Sequence, residues 1–216
     1  EIPAAACISE ALGIPARLCN DANACALAEW KFGAGVGTQN MVFLTFGTGL
    51  GAGLILDGKL YAGTNDNAGE LGHIRLSEFG PVGYGKCGSF EGFASGGGIA
   101  QLARFKVSEK QQMGESVAWC PPGQLDSISA HTVALAAASG DPLALEIYRI
   151  SATYLGRGLA MVIDLLNPEV IVIGSIYVRN RELMEPFVLQ EIEREALSRC
   201  GPPSWASRSA TTLRCP

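Results

Sequence analysis

Between residues 41 and 61 the chain spells out a ribbon that few folds can accommodate. Met41 to Phe46 is a continuous apolar run rich in β-formers, and Ala52 to Leu56 is a second. Between them stands Gly47-Thr48-Gly49-Leu50-Gly51, three glycines in five residues. Asp57-Gly58 then supplies a tight turn into Lys59 to Tyr61, so the spacing predicts a three-strand meander. With so few side chains in the way, backbone N–H groups of the first loop can close around an anion, and Thr48 adds a hydroxyl donor. It is not a Walker loop, since no Gly-Lys-Ser/Thr follows. Nor is it a dinucleotide fingerprint, because a strand rather than a helix comes next. A glycine-rich hairpin is also an ordinary way to join two strands, so its neighbours must decide its meaning.

Around the ribbon the pattern alternates. Ala4 to Leu12 reads as a helix closed by Gly13 and Pro15. Asn20 or Asp21 caps a second helix through Phe32, with Gly33 and Gly35 expected in left-handed stop positions. Gly63 to Gly88 reads as one long ordered loop. Phe90 to Arg104 is predicted helical with an interruption at Gly96-Gly97-Gly98, and residues 106 to 130 are poorly periodic. His131 to Ala138 and Pro142 to Leu166 are helical, the latter strongly amphipathic. Val170 to Ile173 is a fully apolar strand, expected to be buried and parallel, and closed by Gly174-Ser175. Arg181 to Leu197 is the last predicted helix. Cys200 to Pro216 shows neither period and reads as an irregular tail. Strands alternating with long helices give an α/β class.

Composition narrows the function. At 216 residues and 48% hydrophobic, the chain can bury a substantial core. Its 16 basic and 21 acidic residues leave a net charge of −5 with no basic stripe, which disfavours nucleic acid as a partner. No uninterrupted apolar run reaches the length of about 18 residues that a membrane span requires. The seven cysteines are scattered and form no CxxC pair, so they read as reduced thiols of a cytoplasmic protein.

Three further blocks carry chemistry: Asn20-Asp21-Ala22-Asn23, Gly69-Glu70-Leu71-Gly72-His73 and Ser89-Phe90-Glu91. Moving a phosphoryl group onto a sugar hydroxyl needs a carboxylate within hydrogen-bond reach of that hydroxyl. Asp21 at a helix N-terminus would be fixed by capping and favoured in its charged form. Vicinal hydroxyls both donate and accept, so carboxylates and an imidazole orient a hexose well. Each block has a plainer reading by itself: a helix cap, a structural histidine in a glycine-rich loop, and an acid in a first helical turn. His131, the only other histidine, stands away from every motif.

Taken together, in this order and spacing, the blocks resemble the ROK family (repressors, open reading frames and kinases), whose enzymes phosphorylate hexoses and amino sugars with ATP. The resemblance spans roughly residues 1 to 198. It implies an actin-like (ribonuclease H-like, hexokinase-like) two-lobe α/β ATPase fold, with residues 1–30 as the end of the small lobe and hinge, 31–198 as large lobe, and 199–216 as tail. The Asn-Asp-x-Asn motif implies Asp21 as catalytic base and Asn20 as a sugar ligand. The Gly-Glu-x-Gly-His block implies sugar contacts from Glu70 and His73, and Glu91 matches the acid after the family's zinc loop. Gly47, Thr48, Gly49 and Gly51 match the second phosphate loop. Val170 to Ser175 resembles the strand leading to the adenosine pocket, with Gly174 where two glycines are common. ATP and Mg2+ are the implied cofactors, and family members are often dimeric.

The chain departs from the family at three places. Gly83, Gly85 and Ser89 stand where zinc-binding cysteines are usual, and Cys87 falls off register. Tetrahedral zinc needs four N or S ligands and only His73 is left, so no zinc is expected, and Tyr84, Phe90 and glycine turns are expected to order the loop instead. The opening Asp-x-Gly-Gly-Thr turn, which binds phosphate and supports magnesium, does not occur in these 216 residues, and the closing glycine-rich turn and helix are not recognisable. The expectation is therefore a truncated sugar kinase that turns over slowly or not at all by itself. Two alternatives stand beside it: the sugar-responsive core of a ROK transcriptional regulator, and a non-catalytic sugar-binding remnant.

Overall fold

In the computed structural model, residues 2–197 and 210–214 are described. The ribbon forms as the sequence predicts: β1 (Met41–Phe46), β2 (Leu50–Leu56) and β3 (Lys59–Tyr61) pair antiparallel in turn. The apolar run at 170 becomes β6 (Val170–Ser175), parallel to β1 with Met41 opposite Val170 and Phe46 opposite Ser175. The sheet order is β3-β2-β1-β6-β7, where β7 is Ala210–Arg214, antiparallel to β6; β4 (Val82–Gly83) and β5 (Lys86–Cys87) pair in a separate ribbon, and the short helix α7 (Ile176–Arg179) follows β6. This corrects the tail: its sequence carries no clear strand period because the ladder to β6, rather than an amphipathic face, makes these five residues a strand. Residues 198–209 and 215–216 of that tail lie outside the described residues.

The central strands are apolar throughout because both faces are covered. Met41, Phe43, Val170 and Val172 point to one side, against Ala26, Leu27 and Trp30 of α2 (Asp21–Phe32). Val42, Leu44, Phe46, Ile171 and Ile173 point to the other, into the larger core built with α4 (Gly96–Gln112), α5 (Ala130–Ala138), α6 (Pro142–Leu166) and α8 (Arg181–Glu195). The period of two in β1 and β6 thus places α2 on one face and the helical layer on the other. Among the described α-helices, only α1 (Ala4–Leu12) buries no side chain.

Helix α6 starts where the sequence says it must. Asp141 caps it by accepting the Ala144 N–H at 2.9 Å, Pro142 takes the first turn, and Asn167 ends it at φ 42°. It lies along α8 with Gly156 under Val188 and Glu191. Burial by itself would raise the Glu191 carboxyl, but hydrogen bonds from Arg157 and Arg194, both 2.6 Å, outweigh it and hold the group below its ordinary range.

Two helical boundaries differ from expectation. The break near 95 lies at Ala94 and Ser95, between α3 (Phe90–Phe93) and α4, while Gly96-Gly97-Gly98 opens α4 instead of interrupting it. Ser95 caps that helix through the Gly98 N–H, and α4 runs on to Gln112, into the stretch whose periodicity was poor. Gly33 and Gly35 are not left-handed stops. Gly35 is glycine for space, since a Cβ there would lie 2.2 Å from the sulfur of the fully buried Met41, whereas one at Gly33 would meet mainly the movable Glu29 carboxylate. Glu29 closes α2 itself by accepting the Ala34 N–H at 2.9 Å. Among the described residues no helix is long and apolar enough to cross a membrane.

Candidate active site

The hairpin Gly47–Gly49 sits at the carboxyl ends of the parallel pair β1 and β6, where open α/β sheets bind ligands. It is held from beneath by the start of α4. Gly96 N–H donates to the Gly47 carbonyl at 2.8 Å and Gly97 N–H to the Thr48 carbonyl at 3.0 Å. The three glycines at 96–98 permit this approach: a Cβ at Gly98 would lie 1.9 Å from the Gly92 carbonyl oxygen, and one at Gly97 would lie 3.2 Å from that of Thr48. Within the loop Gly47 N–H donates to the Gly49 carbonyl at 3.0 Å. The N–H groups of Thr48 and Gly49 have no partner among the described residues. An anion would find two donors there, which is the fit expected of a phosphate cradle.

One cavity of about 400 Å³ gathers Asn20, Asp21, the hairpin Gly47–Gly51, Asp66, Glu70 and Glu91. Asn20 caps α2, its Oδ1 accepting the Asn23 N–H at 3.1 Å, and Asp21 opens the helix with its Oδ1 on the Ala22 N–H at 2.8 Å. Helix α2 is brought up against the hairpin by bare backbone: a Cβ at Gly51 would lie 3.3 Å from the Ala22 Cβ, and one at Gly53 would lie 2.5 Å from that of Ala26. Gly51 therefore lines the cavity, but its lack of a side chain serves helix packing as well as ligand access. One turn beyond Asp21, the Cys25 thiol is pushed up by partial burial and then by the charges of Asp21 and Glu29, which keeps it protonated.

A second cavity of about 400 Å³ adjoins the first, sharing Leu50, Glu70 and Glu91 and adding Asn67, His73 and Tyr84. Gly69, at φ 93°, and Gly72 let the loop bearing Glu70 and His73 lie on β2. Cβ atoms there would be 2.5 Å and 2.4 Å from the Ala52 and Leu50 carbonyl oxygens. His73 closes a 3-10 turn (Leu71–His73); its carbonyl accepts from Lys86 Nζ at 2.7 Å. Glu91 opens α3 behind the Ser89 cap and accepts the Leu50 N–H at 3.0 Å.

The loop beneath His73 takes the expected glycine turns, with Gly80, Gly85 and Gly88 at φ 140°, 77° and 65°, and departs from expectation at Tyr84. Phe90 is fully buried against Gly158, as foreseen, but Tyr84 is 90% exposed and its ring only meets the His73 ring edge-on at 6.2 Å. Polar contacts add to these. Arg75 donates to the Cys87 carbonyl, Gln101 exchanges two hydrogen bonds with Val82, and Ser89 Oγ donates to the Gly83 carbonyl. Polar exchanges of this kind leave no periodic or compositional mark.

Gly174 is not brought to the cavity. It lies inside β6, opposite Thr45 on one side and Ala210 on the other, so both edges of its backbone face the ladder. The residue beside the hairpin is Ser175, at φ 65° and ψ −121°, with its Oγ 3.8 Å from where a Cβ of Gly47 would be. A non-glycine residue there is strained by about 1–3 kcal/mol. Ser175→Gly is therefore expected to raise the melting temperature by about 2–4 °C, the equivalent of about 1 kcal/mol, as measured by thermal denaturation. Asp66 was not foreseen. It sits in the left-handed region at φ 61° within a glycine- and asparagine-rich loop, and its sequence neighbours give no reason to single it out.

This arrangement belongs to the actin-like, hexokinase-like α/β ATPase fold. The ROK glucokinase from Streptomyces griseus, solved in complex with glucose and AMPPNP, superposes with a TM-score of 0.75 at 30% identity, covering 91% of this chain and 64% of that one. A ROK family transcriptional regulator, a homologue of the Escherichia coli Mlc protein, also gives 0.75, at 36% identity over 89% of this chain and 47% of that one. The ROK family profile matches residues 1–207, and the chain belongs to the ROK family. Among curated relatives, glucokinases of Halalkalibacterium halodurans and Streptomyces coelicolor are 37% and 36% identical over 89% and 76% of this chain. The transcriptional repressor Mlc of Escherichia coli is 29% identical over 91% of it. The chain covers 58%, 52% and 47% of those three proteins respectively, about half of their length.

Proposed function

We propose that the chain supplies most of the large lobe and the hinge of an ATP-dependent kinase for a hexose or N-acetylhexosamine. The observation that carries this is the convergence of Asp21, Glu70, Glu91 and the glycine hairpin on a single cavity. Asp21 would accept the proton of the attacking sugar hydroxyl through the carboxylate oxygen not committed to Ala22. Asn20, Glu70, His73 and Glu91 would bind the remaining hydroxyls and fix which of them faces the phosphate. The free N–H groups of the hairpin would receive the phosphate chain of ATP, presented as its magnesium complex, and the magnesium would neutralise phosphate charge. Catalysis then rests on positioning and charge neutralisation, with no covalent enzyme intermediate.

Because the 216 residues hold no Asp-x-Gly-Gly-Thr phosphate turn, slow or absent turnover is expected of this chain alone. An ADP-release assay over glucose, mannose, fructose, allose and N-acetylated hexosamines tests the reading, run on this chain and on one extended upstream. Sugar-dependent release that rises on extension upholds the kinase. Saturable sugar binding with no release in either chain would remove it.

A second reading, the sugar-sensing core of a transcriptional regulator, is supported by the likeness to Mlc and to the regulator structure. The two readings part upstream: a helix-turn-helix preceding residue 1 favours the regulator, and the phosphate turn favours the kinase.

A further inference from the structure

One short segment grips the phosphate hairpin at three points. From α3, Glu91 Oε2 accepts the Leu50 N–H at 3.0 Å; from the first residues of α4, Gly96 and Gly97 donate to the Gly47 and Thr48 carbonyls at 2.8 and 3.0 Å. Gly49 passes so close to Glu91 that a Cβ there would lie 2.7 Å from Oε2. Glu91 also lines both the hairpin cavity and the adjoining one with His73, and Glu91 Oε1 makes no hydrogen bond among the described residues. One carboxylate therefore has an oxygen on the hairpin backbone and another open to the space where a polyol would lie.

We propose that Glu91 is a positioning residue that couples the two halves of the site, so that sugar binding orders the phosphate hairpin. The inference rests on the sugar-binding reading above. A sugar hydroxyl donating to Oε1 would fix the carboxylate rotamer and displace water from it. Both effects strengthen the hydrogen bond between Oε2 and Leu50 N–H, because a desolvated ionic acceptor binds its donors more tightly. The start of α4 holds the opposite side of the loop, so tightening at Leu50 leaves the hairpin fixed at both ends. By linkage, any ligand that orders the hairpin raises sugar affinity by the same factor.

Amide hydrogen exchange at Leu50 reads this coupling in the 216-residue chain without requiring turnover. D-glucose, D-mannose and N-acetyl-D-glucosamine serve as probes, with binding followed by calorimetry. Saturation with a bound probe is expected to slow Leu50 exchange by about tenfold, the scale of one charge-assisted hydrogen bond. In Glu70→Gln the slowing persists once sugar is raised to saturation, since among the described residues the Glu70 side chain makes no hydrogen bond to the hairpin backbone. In Glu91→Ala it vanishes at saturation. Glu91→Gln, which keeps a neutral acceptor and the side-chain volume, gives a smaller slowing and serves if the alanine variant does not fold. A probe that binds yet leaves Leu50 exchange unchanged, or slowing that survives in Glu91→Ala, overturns the coupling and leaves the sugar site intact. If none of the three probes binds, the sugar reading fails and the coupling fails with it.

Discussion

Asp21→Asn is expected to lower sugar-dependent ADP release by at least about 100-fold, within the range that a positioned general base contributes. The substitution is close to isosteric. The asparagine carbonyl can still accept the Ala22 N–H that Asp21 holds at 2.8 Å, and Asn20 still caps the helix. Melting temperature and sugar affinity should therefore hold to within about 0.5 kcal/mol, the usual scale for surface changes that spare special features. What is lost is a second carboxylate oxygen able to take a proton. The measurement is a kcat and KM pair in the most active upstream-extended protein, with sugar affinity checked by calorimetry. A fall confined to kcat assigns the proton-accepting role to Asp21. An unchanged kcat moves it to another acid lining the cavity, with Asp66 the first to examine. A loss of sugar affinity alone would make Asp21 a ligand and not a base.

Gly98→Ala is expected to cost about 1–3 kcal/mol and in addition to loosen the glycine hairpin Gly47–Gly49 some distance away. The added methyl would lie 1.9 Å from the Gly92 carbonyl oxygen and 3.1 Å from that of Glu91. These are backbone atoms, so no rotamer change relieves the contact. Helix α4 must back away from α3, which pulls Gly96 and Gly97 from the Gly47 and Thr48 carbonyls. For a domain of this size a loss of that order lowers the melting temperature by about 2–4 °C for each kcal/mol. Gly97→Ala is the internal comparison. Its methyl would meet the Thr48 carbonyl at 3.2 Å, a contact that a shift of a few tenths of an ångström relieves. Thermal melts of the two variants should therefore separate clearly, with Gly98→Ala the lower. Equal melting temperatures would mean that the close passage of α4 over α3 is not what makes this position glycine.

The meander, the amphipathic α6 and the apolar β6 were legible because each carries a period or a turn signature of its own. Asp141-Pro142 and Asn167-Pro168 mark the ends of α6 as plainly as its stripe marks the middle. Asn20, Asp21, Glu70, His73 and Glu91 were legible as a set, and the fold does bring them to two adjoining cavities. Features that depend on tertiary approach were not legible. Glycine at 35, 53 and 98 is set by what a Cβ would strike, and only the folded neighbours reveal that. Strand β7 owes its conformation to β6, and Asp66 owes its place to a left-handed turn in a long loop. Gly174, which the resemblance places on the strand leading to the adenosine pocket, does lie in that strand, β6, and lines neither of the two cavities.

The parallel pairing of β1 with β6 bears on how this chain comes to be folded. Met41 meets Val170, so the strand at the centre of the sheet waits for a neighbour that lies far along the chain. Contacts that distant in sequence form slowly, because loop closure is unfavourable until the contacts it permits are in place. Meanwhile Met41-Val42-Phe43-Leu44-Thr45-Phe46 has one edge covered by β2 and the other bare. It is a six-residue stretch without charge, proline or glycine, which is the signature of a segment prone to intermolecular strand addition. During synthesis the glycine hairpin and an aggregation-prone edge are thus expected together on one ribbon, and the arrival of β6 removes the hazard as it completes the end of the sheet that carries the cavity.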